Sequence, residues 1–455
     1  MSAISMFTRN IVEVSYDSLP IDAVAATKKQ ILDTLGATLA GSMSENAGHL
    51  ANLIKDWGGK EESTMLGYGG KVPCTNAALV NGWSAAVIDF DDFHDLDFLH
   101  TSRGVVPAAL AIAERKGAVD GRDFIVAVAL GTDLAYRMAR AALVHRESGF
   151  LLGPNFFGAA ASAGKILGLD EEKLRNALGI ALMQVCGDGY GLREALNTKG
   201  LDGGFQAKAG ILAALMAEKG LSGSADPLEG EGFGFYPLYH RNLYTPSLLT
   251  QDLGKVFEVV SSSQKPYPCC RWSHPAIRAT LELVNEYDIK PEDVTEVIAY
   301  HGPIALSDCE PLEEKQRPRN HYTQHSLPWA VANAILYRKV GIEHYTEEAI
   351  RNNKTLEMAQ KVIPKLTPEL AHMPFAEPAI VEIKTQNGKL YSKRVDIVPG
   401  SPEDPMSFDA TAEKFRYCCN YSAKPISKEN QDIVIRMINK LEEVTNVSQI
   451  AGLLG

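Results

Sequence analysis

The sequence predicts a mainly α protein, a large all-helical domain interrupted by a smaller α+β domain. Three observations carry that expectation. Over the first ~250 residues apolar side chains recur at helical spacing in segment after segment. Near residue 255 the texture changes to short Val-rich runs with polar alternation. After Pro399-Gly400-Ser401-Pro402 the spacing becomes helical again. The expected division is therefore a helical domain of residues 1–255, completed by residues 400–455, with an α+β domain inserted at residues 256–399.

Taken in order, the first strong element runs from Leu19 to Met43. Pro20 stands near its start, and Val24, Ile31, Leu32, Leu35 and Leu39 fall on one face. Similar patterns cover Ala77–Ile88, Val105–Arg115, Asp123–Leu143, Phe157–Leu167, Glu171–Cys186 and Gln206–Lys219. Many are rich in Ala and Gly, as in AALVNGWSAAV and FFGAAASAGKILG, which lets helix axes approach closely. In the inserted domain KVFEVVSSS and VTEVIAYHG read as strands, with HPAIRATLELVNEY as a helix between them. AIVEIKT and LYSKRVDIV flank Gln386-Asn387-Gly388-Lys389, and Asn-Gly between strands predicts a type I′ hairpin turn. Ile433, Met437 and Leu441 mark the face of a last long helix.

Composition narrows the function classes. The 455 residues are 45% hydrophobic and 22% charged, as in an ordinary globular protein that builds its core without staples. A net charge of −11 with no Lys/Arg-rich run argues against nucleic acid as the main partner, while leaving room for a small anion held by local cations. The N-terminus lacks the apolar core and cleavage site of a signal peptide, and no apolar stretch is long enough to span a membrane. Seven cysteines, with two adjacent pairs and no CxxC, are a poor disulfide or zinc framework. Reduced thiols and a cytoplasmic location are expected.

The stretch with the most chemistry is DFDDFHDLDFLHTS, Asp89 to Ser102, with five aspartates and two histidines in its first twelve residues. A calcium loop of the EF-hand type needs Gly sixth and Glu twelfth; here those positions hold His94 and His100. Three readings stay open. His94, His100 and two aspartates could ligate a transition metal. The segment could be a solvated acidic turn, although Phe90, Phe93, Leu96, Phe98 and Leu99 are interleaved with the acids. Or a histidine oriented by carboxylates could transfer protons.

Four stretches together resemble the MmgE/PrpD family: IDFDDFHDLDFLHTSRGVVPAALAIAE; LNTKGLDGGFQAKAGILAALMAEKGLSG, with Lys199, Gly204, Gln206 and Gly210; KPYPCCRWSHPAI; and HSLPWAVANAIL continuing to GSPEDPMSFDATAEKFRYC. The resemblance covers nearly the whole chain. It implies the fold derived above, a homodimer, no metal or other cofactor, and a small di- or tricarboxylic acid as substrate. The implied activity is that of a lyase or isomerase working by proton abstraction α to a carboxylate, which needs a base and cations to stabilise the enediolate.

Residue by residue, the resemblance makes His274 the base. His100 and Asp89 become acid or base and orienting carboxylate, with Asp91 the rival of Asp89. Lys199 would hold a substrate carboxylate or the enediolate. Arg103, Arg271, Lys208 and His94 would contact the substrate. Four positions depart from the family pattern: Leu151 and Asp202 where histidines are usual, Trp329 for a tyrosine, and Phe93 for a threonine. Alternatives of other classes are a metal-dependent hydrolase or hydratase built on the Asp/His loop, and a polycarboxylate-binding homologue without catalysis.

Overall fold

The computed structural model describes residues 2–143, 153–187, 199–318, 320–371 and 377–455, with the backbone alone at 143 and 320–322. The first half is helical: α1 (Ile21–Gly41), α2 (Cys74–Val87), α3 (Ser102–Lys116), α4 (Gly121–Leu143), α5 (Pro154–Leu167) and α6 (Lys199–Glu218). The chain is mainly α, as its periodicities predict. Small residues dictate the packing of α2, α3 and α5, which are buried on nearly every side.

One crossing positions the functional site. A Cβ on Gly82 of α2 would collide with the backbone carbonyl of Gly203 on α6, and a Cβ on Gly203 with that of Gly82. The two helices therefore touch backbone to backbone. Residues beside Gly203 face the loop that follows α2.

The α+β part contains α7 (His274–Glu286), β1 (Val294–His301), α8 (Leu327–Tyr337), β2 (Val362–Leu366), β3 (Ala379–Thr385) and β4 (Leu390–Val395). The sheet order is β2-β1-β3-β4, with β1 and β2 parallel and the other pairs antiparallel. Val297 of β1 lies opposite Ile383 of β3, and Ala299 opposite Val381. These buried residues share a cluster with Ala276 and Leu283 of α7 and Val331 and Ile335 of α8. After the sheet come α9 (Phe408–Cys419) and α10 (Lys428–Asn439). Phe415, Val434 and Ile438 join the large apolar cluster that also contains Leu32, Leu39, Leu130 and Phe157.

Five local expectations are corrected. KVFEVVSSS is not a strand: Glu258–Ser261 is a 3-10 turn, and Ser263 makes a single bridge to Phe93. Helix α6 begins at Lys199, seven residues before Gln206, because Gly200, Gly203 and Gly204 pack tightly on α2 rather than break the helix. The Asn-Gly hairpin forms, but Gly388 takes positive φ (79°) and Asn387 does not. The Gly388 N–H donates to Thr385 O, so the loop is the longer one closed by a left-handed glycine. The last long helix stops at Asn439, and the chain ends on a separate helix, Ser448–Leu454. Strand β2, VIPKL, was not expected; its proline sits at the sheet edge, where no ladder N–H is needed.

Gly203→Ala should lower stability by about 1–3 kcal/mol, the usual cost of overpacking a close contact. Gly48→Ala is the control, since Gly48 lies in the helix Glu45–Trp57 and its Cβ would meet nothing within 4 Å. That substitution should be neutral or mildly stabilising in urea denaturation. Equal denaturation midpoints for Gly203→Ala and wild type would show that the two backbones are not in contact.

Candidate active site

The Asp-rich segment connects α2 to α3 and is folded into the body. Phe93 and Ser263 exchange backbone hydrogen bonds, and His94 N–H donates to Leu99 O. None of its five aspartates is more than 3% exposed, so it is no solvated turn. Burial forces each carboxylate to find partners, and the partners sort them. Asp92 accepts from Gln30, Tyr136 and Ser262. Asp95 takes both arms of the Arg271 guanidinium, at 2.9 and 3.0 Å. Asp97 lies 3.4 Å from Arg140 Nε and beside His94. These three fasten the loop to the helices and to the segment after residue 260.

The other two face one another across His100. His100 Nδ1 lies 3.1 Å from Asp91 Oδ2, and its Nε2 is 3.9 Å from Asp89 Oδ1. With Nδ1–H donating to Asp91, Nε2 keeps a free lone pair. Asp89 sits at φ 54°, a left-handed turn that aims both its carbonyl and its carboxylate at Lys265 Nζ, 3.0 and 3.1 Å away. Its other oxygen is 2.9 Å from Lys199 Nζ. Burial alone would raise the Asp89 carboxyl, but the Lys199 and Lys265 ammonium groups hold it well below the usual range. Burial likewise opposes ionisation of Asp91, and His100 and Arg103 reverse it. Burial lowers the pKa of His100, Asp91 pulls it back up, and Arg103 and Lys265 press it down again; the net direction is down. The imidazole is therefore neutral at neutral pH, in the state that accepts a proton. His100 and Lys199 keep 15% and 14% of their side chains open, whereas Asp89 and Lys265 are closed off, so the opening lies over His100 and Lys199. Phe93 forms a wall there, its ring 4.8 Å from His100 and 5.3 Å from Trp272.

The remaining expected residues separate into those that reach this cluster and those that do not. Arg103 reaches it: Nη2 donates to Asp202, while Nε and Nη1 have no hydrogen-bond partner. Asp202, at the position of an absent histidine, is thus a partner of Arg103 and of Gln206. Arg271 is fully engaged by Asp95 and Pro399 O. Lys208 is nine residues from Lys199 on α6, half a turn round, and so points away. His94 is buried against the Tyr136 ring at 4.3 Å, and burial pushes its pKa down to about 3. His274 is also fully buried. Its Nε2 lies 3.2 Å from Cys269 O, Nδ1 has no partner, and burial, then Arg271 and Lys265, hold its pKa well below the usual value. Trp329 is a core residue whose indole N–H donates to His344 O. Leu151 lies outside the described residues.

Lys265, His325 and Asp308 belong to the cluster and were missed. Lys265 stands in the KPYP stretch itself, where its position was a usable signal. His325 Nε2 is 3.3 Å from Lys199 Nζ, and its Nδ1 is 3.5 Å from Asp308 Oδ1. His325 likewise opens the resembling stretch HSLPWAVANAIL, whereas Asp308 stands in none of the four.

Ligand atoms of Asp89, Asp91 and His100 come within 4.8 Å of one another, as do those of Cys270, Asp308 and His325. Neither trio suits a divalent cation. Two ammonium groups already occupy the Asp89 oxygens, and a metal ion there would meet both at contact distance. In the second trio burial pushes the Cys270 thiol well up, so that it offers no thiolate, and the Lys199 ammonium already lies 3.3 Å from His325 Nε2.

Comparison with known proteins gives two family matches: residues 5–243 fit the MmgE/PrpD N-terminal domain, and residues 267–440 the MmgE/PrpD C-terminal domain. Among curated relatives, the chain is 27% identical to human cis-aconitate decarboxylase over 451 residues, covering 95% of this chain and 90% of that protein. It is 24% identical to cis-aconitate decarboxylase of Aspergillus terreus over 464 residues, covering 96% and 93%. No helix among the described residues is long and apolar enough to cross a membrane.

The loop's fastening has a pH signature. Burial, with Glu258 adding to it and Arg140 opposing, raises the Asp97 pKa from 3.8 to about 7. Folding therefore takes up a proton there between those values, and the group's contribution is full below 3.8 and lost as pH rises through about 7. Asp97→Asn removes that loss. The melting temperature of the variant, measured against wild type, should gain steadily as pH rises across this window. A constant difference would place the Asp97 titration elsewhere.

Proposed function

The chain belongs to the MmgE/PrpD family, and we propose that it is a cofactor-independent lyase of the decarboxylase/dehydratase type acting on a small di- or tricarboxylic acid. One observation carries the reading: a histidine oriented by Asp91 stands at an opening beside two lysines joined by a buried carboxylate. Breaking a bond at the carbon α to a carboxylate leaves an enediolate, whose charge must be met by cations already in place. Lys199 and Lys265 are such cations, and Arg103, paired with Asp202 and 3.9 Å from Asp91, adds a third positive charge beside them. The relatives named for decarboxylation of cis-aconitate support a substrate of that class. Epimerisation and double-bond isomerisation start from the same enediolate and are the finer alternatives.

Where the reaction abstracts a proton, as dehydration and epimerisation do, His100 rather than His274 takes it. His100 has an open edge and a free lone pair; His274 is enclosed and bonded to a carbonyl. The family resemblance also supports a cytoplasmic homodimer with its contact through the helical domain, for which sedimentation velocity should report twice the chain mass.

The test uses a panel of di- and tricarboxylates, cis-aconitate among them, scored for CO2 release, new double bonds and α-proton exchange in deuterated water. With a substrate that exchanges its α-proton or loses water, His100→Gln should lower kcat by roughly 10²–10⁴, the usual share of general acid–base catalysis, with KM little changed. Lys199→Met should raise KM as well, because the ammonium holds the carboxylate in ground and transition states alike. His274→Gln, once circular dichroism shows it folded, should lose less than His100→Gln. The reverse order would return the base to His274.

A further inference from the structure

The two lysines of the site differ in a way that their shared partner conceals. Lys265 Nζ contacts the carboxylate and the carbonyl of Asp89 and is a closed-off, fixed cation. Lys199 Nζ contacts Asp89 on one side and a titratable nitrogen, His325 Nε2, on the other. His325 is the most open of these groups, with 31% of its side chain exposed. Behind it stands Asp308, fully buried, held at Oδ2 by Ser273 Oγ at 2.9 Å while Oδ1 faces His325 Nδ1 without a hydrogen bond of its own. The Lys315 ammonium donates to the His325 carbonyl at 2.7 Å, which fixes the backbone under the ring. Carboxylate, imidazole and ammonium thus form a chain whose middle member, the imidazole, is the most open to solvent.

We propose that Lys199 is a proton donor to the reacting carbon and that His325, backed by Asp308, reloads it from solvent. This inference rests on reading the cleft as a lyase site, and it identifies the reaction as decarboxylation. When a substrate carboxylate leaves as CO2, the electron pair of the broken C–C bond stays on the substrate as an enediolate. A Lys199 N–H bond then breaks, its proton forms the new C–H bond, and Lys199 is left as a neutral amine. His325 takes a proton from water or a buffer acid, and Asp308 stabilises the imidazolium. The proton on Nε2 passes to the Lys199 lone pair, restoring the ammonium and the neutral imidazole. One solvent proton is consumed for each CO2 released. Dehydration needs no such supply, because the abstracted proton leaves with the hydroxide as water. A path for protons from solvent to one lysine is what distinguishes the two chemistries.

The experiment compares wild type with His325→Gln and Asp308→Asn in weakly buffered solution at fixed pH. Glutamine keeps a hydrogen-bond acceptor beside Lys199 but cannot carry a proton. In a working relay, kcat of His325→Gln falls by ~10²-fold with KM nearly unchanged, and added imidazole restores kcat in proportion to its concentration. Wild type should not respond to imidazole. Asp308→Asn, the second variant should the first fail to fold, should show a smaller loss with the same rescue. An active wild type whose variants keep normal kcat, or lose it without any response to imidazole, would overturn the relay alone. A wild type inert toward the whole carboxylate panel would overturn both the relay and the lyase reading.

Discussion

One buried carboxylate organises this molecule's chemistry. Asp89 is taken almost wholly out of water, which costs several kcal/mol for an isolated ion unless it is paired and hydrogen-bonded. Its partners come from two distant places: Lys199 opens α6, and Lys265 lies in the segment that leads into the α+β part. The left-handed backbone at Asp89 makes the double engagement of Lys265 possible, and Asp is among the few residues that tolerate it. Asp89 therefore both joins the two parts of the chain and sets two ammonium groups a short distance from His100.

The remainder of the acidic loop is a consequence of that demand for order. A loop with five buried carboxylates cannot be held by apolar contacts alone, so Asp92, Asp95 and Asp97 take up hydrogen-bond donors and arginines from α1, α4 and the segment after residue 260. Their fixed geometry leaves Asp91 free to orient His100 and lets the ring keep one open edge. The glycine crossing of α2 and α6 serves the same end, because only backbone-to-backbone contact brings Lys199 and Asp202 close enough to reach Asp89 and Arg103. A side chain at Gly203 would push the first turn of α6 away from the loop.

Charge in the cleft is nearly balanced among its own groups. The Arg103, Lys199 and Lys265 cations face Asp89, Asp91 and Asp202, and burial raises the Asp202 pKa. A carboxylic substrate would bind by sharing these cations with the aspartates rather than by meeting an empty positive pocket. Such sharing leaves the interaction free to strengthen as charge builds on the reacting carbon, which is the differential binding that catalysis requires.

The sequence alone was enough for the mainly helical fold, the place of the β3–β4 hairpin, the family, and the contiguous trio Asp89, Asp91 and His100. These rest on local pattern: apolar periodicity, turn residues and short motifs are all contained in a few tens of residues. Tertiary structure decided which acids are fasteners and which face the opening, since a carboxylate's role follows from the partner that burial assigns to it. It also decided that Arg271 is engaged by Asp95, that His274 is enclosed, and that Lys208 points away. Above all it brought Lys265, His325 and Asp308 beside Lys199. Those contacts join residues far apart in the chain, and no short-range periodicity encodes a pairing that only the packed domains create.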